Sequence, residues 1–465
     1  MQAKAMIEAE AEQSARMLTL THTPSTFGLH KLPSSLEERS PRSISFALFH
    51  QSTCIMSKAI FSANAKSDHY RHHPLSLTRD QFRLIKISPG RLNEGILCHV
   101  RHFDRVGKDA YGSYTALSYT WGAVEAVGPI YMQTVGANED NFPAPFTVTQ
   151  NLADILRHIV VARETDPGDA RWEGWWWIDA LCIIQTENDP EKDRQINLMP
   201  ATYSDAGEVY AWIGRGTERT NSAIDFMDRR FRDSEFAELS SASVDRWHHF
   251  PDLPSWIGEV FARPYWRRLW IIQELSMSSK KTTIACGYFE TSLQALHDYA
   301  EGVVSMAPEE LASEPLEIAY EQVREAGAVI ELVMTYRIRG AGMYLADLID
   351  RSHDSVCGMD KKDYIRALLG LVGRGRGLHI DASQHRCPCS IIMAAMQAMT
   401  QDLHPQDSHD AWLKRRYQGD IREIGAFIAT TLNHTETYCD AYQKALSTCR
   451  RIALLICDGD SDGER

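Results

Sequence analysis

Two carboxylates, Asp179 and Glu191, are the side chains of this sequence best placed to do chemistry. Asp179 sits in the middle of W-W-W-I-D-A-L-C-I-I-Q, Trp175 to Gln185, an almost unbroken apolar run of strand-like length. A strand apolar at every position must be covered on both faces. This predicts the interior of a parallel sheet flanked by helices, in which an ionised Asp is costly unless paired. Glu191 follows Asp189-Pro190, an N-cap with Pro at the first helical position. It therefore stands in a first helical turn, near the positive helix end and just beyond the carboxyl end of that strand, where open parallel sheets place their ligands. A carboxylate held there can bind ligand hydroxyls or stabilise positive charge that develops in a reaction. Asp179 itself is expected to be bonded to neighbouring backbone or to an Arg such as Arg268. Cys182 in the same run is expected to pack rather than react, because burial disfavours a thiolate and the sequence places no His to activate it.

The elements that must position these groups can be read in order. F-R-L-I-K-I from Phe82, the turn Ser88-Pro89-Gly90 and I-L-C-H-V from Ile96 predict two paired strands. Y-T-A-L-S-Y-T-W-G, Tyr114 to Gly122, predicts a strand running into a loop, and Pro129–Thr134 with Phe146–Val148 predicts a hairpin on the sheet edge. Thr149 caps a helix whose Leu152, Ile155, Leu156, Ile159 and Val160 form one apolar stripe. This helix and the run from Trp175 complete a strand, helix, strand crossover. The helix bearing Glu191 should continue through Ile196, Met199 and Tyr203, with Pro200 kinking or shortening it. It is followed by the strand E-V-Y-A-W-I-G from Glu208 and helices at Thr220–Phe231 and Leu253–Ala262. The Arg- and aromatic-rich Arg263–Leu275 is expected to be a partly buried structural segment, ahead of a short strand at Thr282–Cys286. From about residue 291 the pattern is helical. The expected organisation is a mobile N-terminal extension (1–80), an α/β domain (81–290), a helical C-terminal region (291–457) and an acidic disordered tail (458–465).

Composition excludes several classes. The formal net charge of −13 argues against a generic binder of nucleic acid or anionic membrane, both of which need clustered Lys and Arg. No apolar run approaches the ~18 residues that cross a bilayer. Ten cysteines in 465 residues, nearly all far apart, are expected to be reduced thiols of a cytoplasmic protein. The acidic first residues carry no apolar core of a secretory signal. His69, His72 and His73 are read as part of a polar segment rather than a metal site.

Four blocks, taken together and in order, resemble the fungal heterokaryon incompatibility (HET) domain. They are Y-T-A-L-S-Y-T-W-G at 114–122, W-I-D-A-L-C-I-I-Q at 177–185, the block from Q-I-N-L-M to Y-A-W-I-G at 195–214, and R-P-Y-W-R-R-L-W-I-I-Q-E at 263–274. The resemblance spans roughly 82–290. It implies a fungal protein of non-self recognition and programmed cell death. It also implies a distant likeness to Toll/interleukin-1 receptor (TIR) domains, a flavodoxin-like fold with a central parallel sheet, whose enzymatic members cleave nicotinamide from NAD using a Glu just after a central strand. By position that Glu falls on Glu191. The implied site has Glu191 and Asp179 as catalytic carboxylates, Tyr119 and Trp121 as stacking walls, and Ser118 and Gln185 as nucleotide contacts. NAD is then a substrate, with no cofactor and no metal. Ile184 stands where the family has Asn, and Pro200 interrupts the helix carrying Glu191. Both departures fit the alternative, a non-catalytic signalling module whose sheet edges or helices bind an unidentified protein partner, whereas the NAD-consuming reading is the one that involves self-association.

Overall fold

Strand β3 (Tyr114–Tyr119) is buried at every position, and the rest of the domain is laid out around it. The computed structural model describes residues 69–372 except 77–78, 89–94, 106–112, 123–125, 137–141, 187–188, 233–251, 306–313, 340–347, 349–350 and 353–362. The expectations for residues 1–68, for the helical region beyond residue 372 and for the acidic tail lie outside the described residues.

The other strands are β1 (Gln81–Ile87), β2 (Leu97–Asp104), β4 (Ala126–Thr134), β5 (Ala144–Thr149), β6 (Trp175–Trp177), β7 (Glu208–Gly214), β8 (Lys281–Cys286) and β9 (Phe289–Ser292). They form one sheet in the order β5-β4-β2-β1-β6-β3-β7-β8-β9. The central run β6-β3-β7-β8 is parallel, whereas β1 pairs antiparallel with both β2 and β6, and the β4–β5 and β8–β9 hairpins form the two antiparallel edges. The sheet is therefore mixed, with the expected parallel arrangement confined to its centre and to the β2–β4 pair.

Helix α1 (Gln150–Thr165) starts where the sequence places it, with the Thr149 hydroxyl accepting from the Leu152 amide. It covers one face of the sheet, where His158 packs against Tyr210 and Trp212. On the other face lie α4 (Met199–Asp205) and α7 (Trp270–Ser276). Successive residues of β6 make the three-layer arrangement explicit. Trp176 stacks on Trp172 at 6.1 Å on the α1 side, and Trp177 meets Tyr203 of α4 edge-on at 5.3 Å on the other.

The run Trp175–Gln185 is not one strand. Pairing stops at Trp177, and Asp179–Cys182 winds into a single helical turn, α2. An apolar run cannot by itself distinguish a doubly covered strand from a buried helical turn. The consequence is functional, because Asp179 moves from within the strand to just beyond its carboxyl end. The helix expected to be kinked or shortened at Pro200 is shortened: α3 (Pro190–Asn197) and α4 are two helices meeting at Leu198. Proline at the second position of α4 needs no amide partner there, so a break costs less than a kink.

The remaining described helices include α5 (Glu218–Arg232), α6 (Leu253–Phe261), α8 (Leu293–Val304), α9 (Glu314–Arg339) and α10 (Asp363–Leu369). Val323, Ile330 and Val333 of α9 and Leu368 of α10 belong to the same continuous buried core as the sheet. The described part of the N-terminal segment also packs. Tyr70 and Leu75 are buried, the Tyr70 amide donates to the Pro145 carbonyl at 2.9 Å, and its hydroxyl pairs with Thr134 at 2.8 Å.

Two outcomes test this packing. Trp177→Ala empties a large, fully buried site between β6 and α4 and should cost about 3–5 kcal/mol, read as a lower urea midpoint at unchanged slope. His297 of α8 bonds Glu331 of α9 at 2.7 Å and Asp298 at 3.2 Å. Burial pulls its pKa down, but these carboxylates outweigh it and hold the imidazolium above its ordinary value. The stability advantage over His297→Gln should therefore be full below about pH 6.5 and disappear as pH rises through the raised value, measured by paired denaturation curves.

Candidate functional site

The site follows from topology. From β3 the chain travels outward and returns to β6 on one side. From β6 it crosses over to β7 on the other side. The carboxyl ends of β3 and β6 therefore flank a point where connections diverge, the place at which open α/β sheets leave a crevice. Trp121 follows β3 and Asp179 follows β6, and Trp121 Nε1 donates to Asp179 Oδ2 at 2.8 Å across that point. Gly122 lets the chain leave directly after Trp121, with φ +81° and the Asn151 side chain close behind.

Around this pair the fold collects a polar cluster. Asp179 Oδ1 accepts from the Ala180 amide at 2.7 Å, and the Tyr119 hydroxyl bonds the same carboxylate. Gln185 Nε2 donates to the Asp179 carbonyl at 3.2 Å. Beneath them, Ser118 bonds the Tyr265 hydroxyl at 2.7 Å and donates to Glu274 Oε2. Arg268 Nη2 lies 3.6 Å from Glu274 Oε1, and its charge also acts on Asp179. Its Nη1 is buried without a hydrogen-bond partner.

The cluster is graded from closed to open. Ser118, Tyr119, Tyr265 and Glu274 are buried, while Trp121, Asp179, Gln185 and Arg268 keep part of their surface. Burial raises the Glu274 carboxyl to about 7, with Arg268 and the Ser118 bond opposing the shift and the Asp179 charge adding to it. Burial also raises Asp179, against the pull of Arg268 and the bonds from Trp121, Ala180 and Tyr119. Two acids thus share one guanidinium, and the more buried one holds a proton near neutrality.

Glu191 stands apart from this cluster. It is buried, with Oε1 accepting from Arg83 Nη1 at 2.6 Å and Oε2 accepting from Arg83 Nη2 at 3.1 Å and from the Leu75 amide at 2.7 Å. Arg83 further donates to the carbonyls of Cys182 at 3.1 Å and His73 at 2.5 Å. The expected residues Ser118, Tyr119, Trp121, Asp179 and Gln185 are brought together, and Glu191 faces a different partner set. Cys182 is buried and burial pushes its thiol up to about 12, leaving no thiolate at neutral pH.

Glu274 is the residue that sequence reasoning passed over. The signal was present as the single acid among the otherwise uncharged residues of W-I-I-Q-E-L, a position that needs a partner whichever way the helix faces.

Residues 114–274 match the family described as "Heterokaryon incompatibility protein (HET)". The chain resembles the HET family over this stretch. It is also 27% identical over 305 residues to "Heterokaryon incompatibility protein 6, OR allele" of Neurospora crassa, a match covering 56% of this chain and 43% of that protein. The chain thus spans less than half the length of that relative. No solved structure matches it. The HET match opens on the first residue of β3 and closes on Glu274, so the whole cluster lies within it, while Arg83 and Leu75 lie outside.

Comparing Glu274→Gln with the parent tests the electrostatics. In the parent, the native carboxyl keeps its proton while that of the unfolded chain ionises. Glu274 should therefore cost stability as pH rises from about 4.5 to about 7, on the order of 3 kcal/mol over the window. The difference between the two denaturation-midpoint profiles should change across that window and be flat above it.

Proposed function

We propose that this HET domain serves non-self recognition as a signalling effector, and that its chemistry is cleavage of the N-glycosidic bond of NAD or a related nucleotide. The observation carrying this reading is Asp179, a partly exposed carboxylate at the diverging strand ends, with an indole bonded to it and a shared guanidinium behind it. The curated relative, named for heterokaryon incompatibility, supports the biological half.

In the proposed reaction the C1′–N bond breaks and its electron pair leaves with the nicotinamide. The ribosyl cation that forms is stabilised by the Asp179 carboxylate. A solvent water adds its oxygen to C1′ and gives its proton to the carboxylate, which returns it to solvent. Trp121 supplies a surface against which a base or nicotinamide ring can stack. Gln185 is within reach of ligand hydroxyls at the partly exposed rim. Arg268 favours the ionised form of Asp179 against the burial that opposes it, and Glu274 with Ser118 holds Arg268 in place, which makes both positioning residues. The acid at the open rim, Asp179, suits a cationic transition state better than an anionic group, while Glu274 behind it holds its proton near neutrality. Glu191, the carboxylate that the TIR likeness singles out, is the second candidate acid, and in the arrangement described both of its oxygens are occupied.

The burial of Ser118 and Tyr119 favours a second reading, in which the cluster is a polar core of a non-catalytic interaction module on a TIR-like fold. One experiment separates the two. Nicotinamide release is measured with the purified full chain at high concentration, alongside Asp179→Asn and Glu191→Gln, each checked for folding by circular dichroism. The catalytic reading expects turnover in the parent and a loss of at least about a hundredfold in Asp179→Asn. Full turnover in Asp179→Asn with loss in Glu191→Gln would transfer the chemistry to Glu191. No turnover from the folded, self-associated parent would leave the interaction module.

A further inference from the structure

The segment Tyr70–Leu75 runs without regular secondary structure across the sheet and closes over the buried Arg83–Glu191 pair. It is fastened at two ends. The Tyr70 amide and hydroxyl bond Pro145 of β5 and Thr134 of β4, while the Leu75 amide donates to Glu191 and the His73 carbonyl accepts from Arg83. Between these fastenings sits His72. Its ring meets Tyr70 at 5.2 Å and 88° and Phe146 at 6.2 Å and 66°, so aromatic edges and faces surround it. Both ring nitrogens are buried and neither has a hydrogen-bond partner.

An imidazole in that setting is tolerated only while neutral. The charged groups acting on it are Arg83 of β1, His102 of β2 and the neighbouring His73, and each of them opposes a second positive charge. Burial opposes it more strongly still, and together they hold the ring well below its ordinary value. Glu191, the nearby carboxylate, is already bonded to Arg83 and the Leu75 amide. A proton on His72 would thus create an unpaired cation in a desolvated box, which is relieved when the segment lifts and the ring reaches water.

We propose that residues 70–75 form a pH-sensitive latch, closed over Glu191 while His72 is neutral and released when His72 takes up a proton. Release withdraws the Leu75 amide from Glu191 Oε2 and the His73 carbonyl from Arg83, leaving the carboxylate accessible with only its ion pair. The sign follows from linkage. The open segment carries an ordinary histidine with a pKa near 6.5 and the closed one a depressed value, so acidification favours the open form. Between pH 7.5 and 5.5 the open-to-closed ratio rises roughly tenfold for a single site of that kind. The latch stands on this geometry alone. Only its consequence for turnover rests on the nucleotide-cleavage reading.

Hydrogen exchange tests it directly, because the Tyr70 and Leu75 amides are the two bonds that break. After correction for intrinsic rates, their protection in the full chain should fall roughly tenfold from pH 7.5 to 5.5, while amides of β1 beside them, such as Ile85, keep theirs. In His72→Phe, which fills the aromatic box without a titrating group, protection at both amides should be flat over that range. His72→Leu serves the same purpose if the larger ring perturbs folding. Flat protection in the parent, or an equal fall in the non-titrating variants, overturns the latch. Nicotinamide release followed over the same range is read separately. A rise that tracks the opening assigns chemistry to Glu191, and opening without such a rise upholds the latch and removes Glu191 from the reaction.

Discussion

The desolvation of charge at the carboxyl ends of β3 and β6 is the constraint to which the rest of the domain answers. Asp179 must stand at this junction because β6 ends after three residues and the chain turns at once into α2. A carboxylate there needs donors, and the fold supplies an indole from the end of β3, a backbone amide from its own turn and a phenol from β3 itself. It also needs a countercharge. Arg268 comes from the short 3₁₀ segment Pro264–Arg267 and its C-terminal residue, which brings with it a second acid, Glu274 on α7. A buried pair of acids on one guanidinium is poor evidence for stability, since a well-packed apolar substitute would do as well or better. Its retention is easier to understand if the cluster works at its partly exposed rim.

A second buried ion pair lies beyond the far end of the same turn. Helix α2 begins with Asp179 and ends with Cys182, whose carbonyl accepts from Arg83, and Arg83 clamps Glu191. One helical turn therefore connects an open, graded cluster to a sealed one. The two differ in what balances them. Glu191 and Arg83 pair in bidentate fashion, one acid to one base, with the Leu75 amide as a further donor and Arg83 Nε left without a partner. The Asp179 cluster carries two acids to one base and leaves Arg268 Nη1 without a partner. The cluster that reaches the surface is thus the one with an acid, Glu274, that holds its proton near neutrality.

Much of this arrangement was legible in the sequence because it rests on local signals. Thr149 as a cap, the apolar stripe of α1, the hairpin ending in β5 and the central strands β3 and β7 are written in spacing and residue type. Arg268 could be named as a partner for Asp179 because a buried acid requires one. The illegible parts are those in which burial alone governs. The run Trp175–Gln185 is apolar throughout, so nothing in it marks where pairing stops and the helical turn starts. The same ambiguity hid Asp179's true position beyond the strand. Glu274 was obscured for a related reason, since Ser118 is far from it in sequence and no periodicity links them. The packing of Tyr70 and Leu75 was equally hidden, because a Ser-, Pro- and His-rich segment carries no pattern for contacts made with distant strands.

The match boundaries add a physical division to the functional one. Everything that gathers at Asp179 is supplied by residues 114–274, the stretch shared with the HET family. Glu191 lies inside that stretch, yet both groups that occupy its oxygens, the Arg83 guanidinium and the Leu75 amide, are supplied from outside it. The carboxylate at the start of α3 thus lies within the matched stretch, in a setting built by flanking sequence. In this chain, β1 and the segment before it hold that acid in a structural role for as long as the latch is closed.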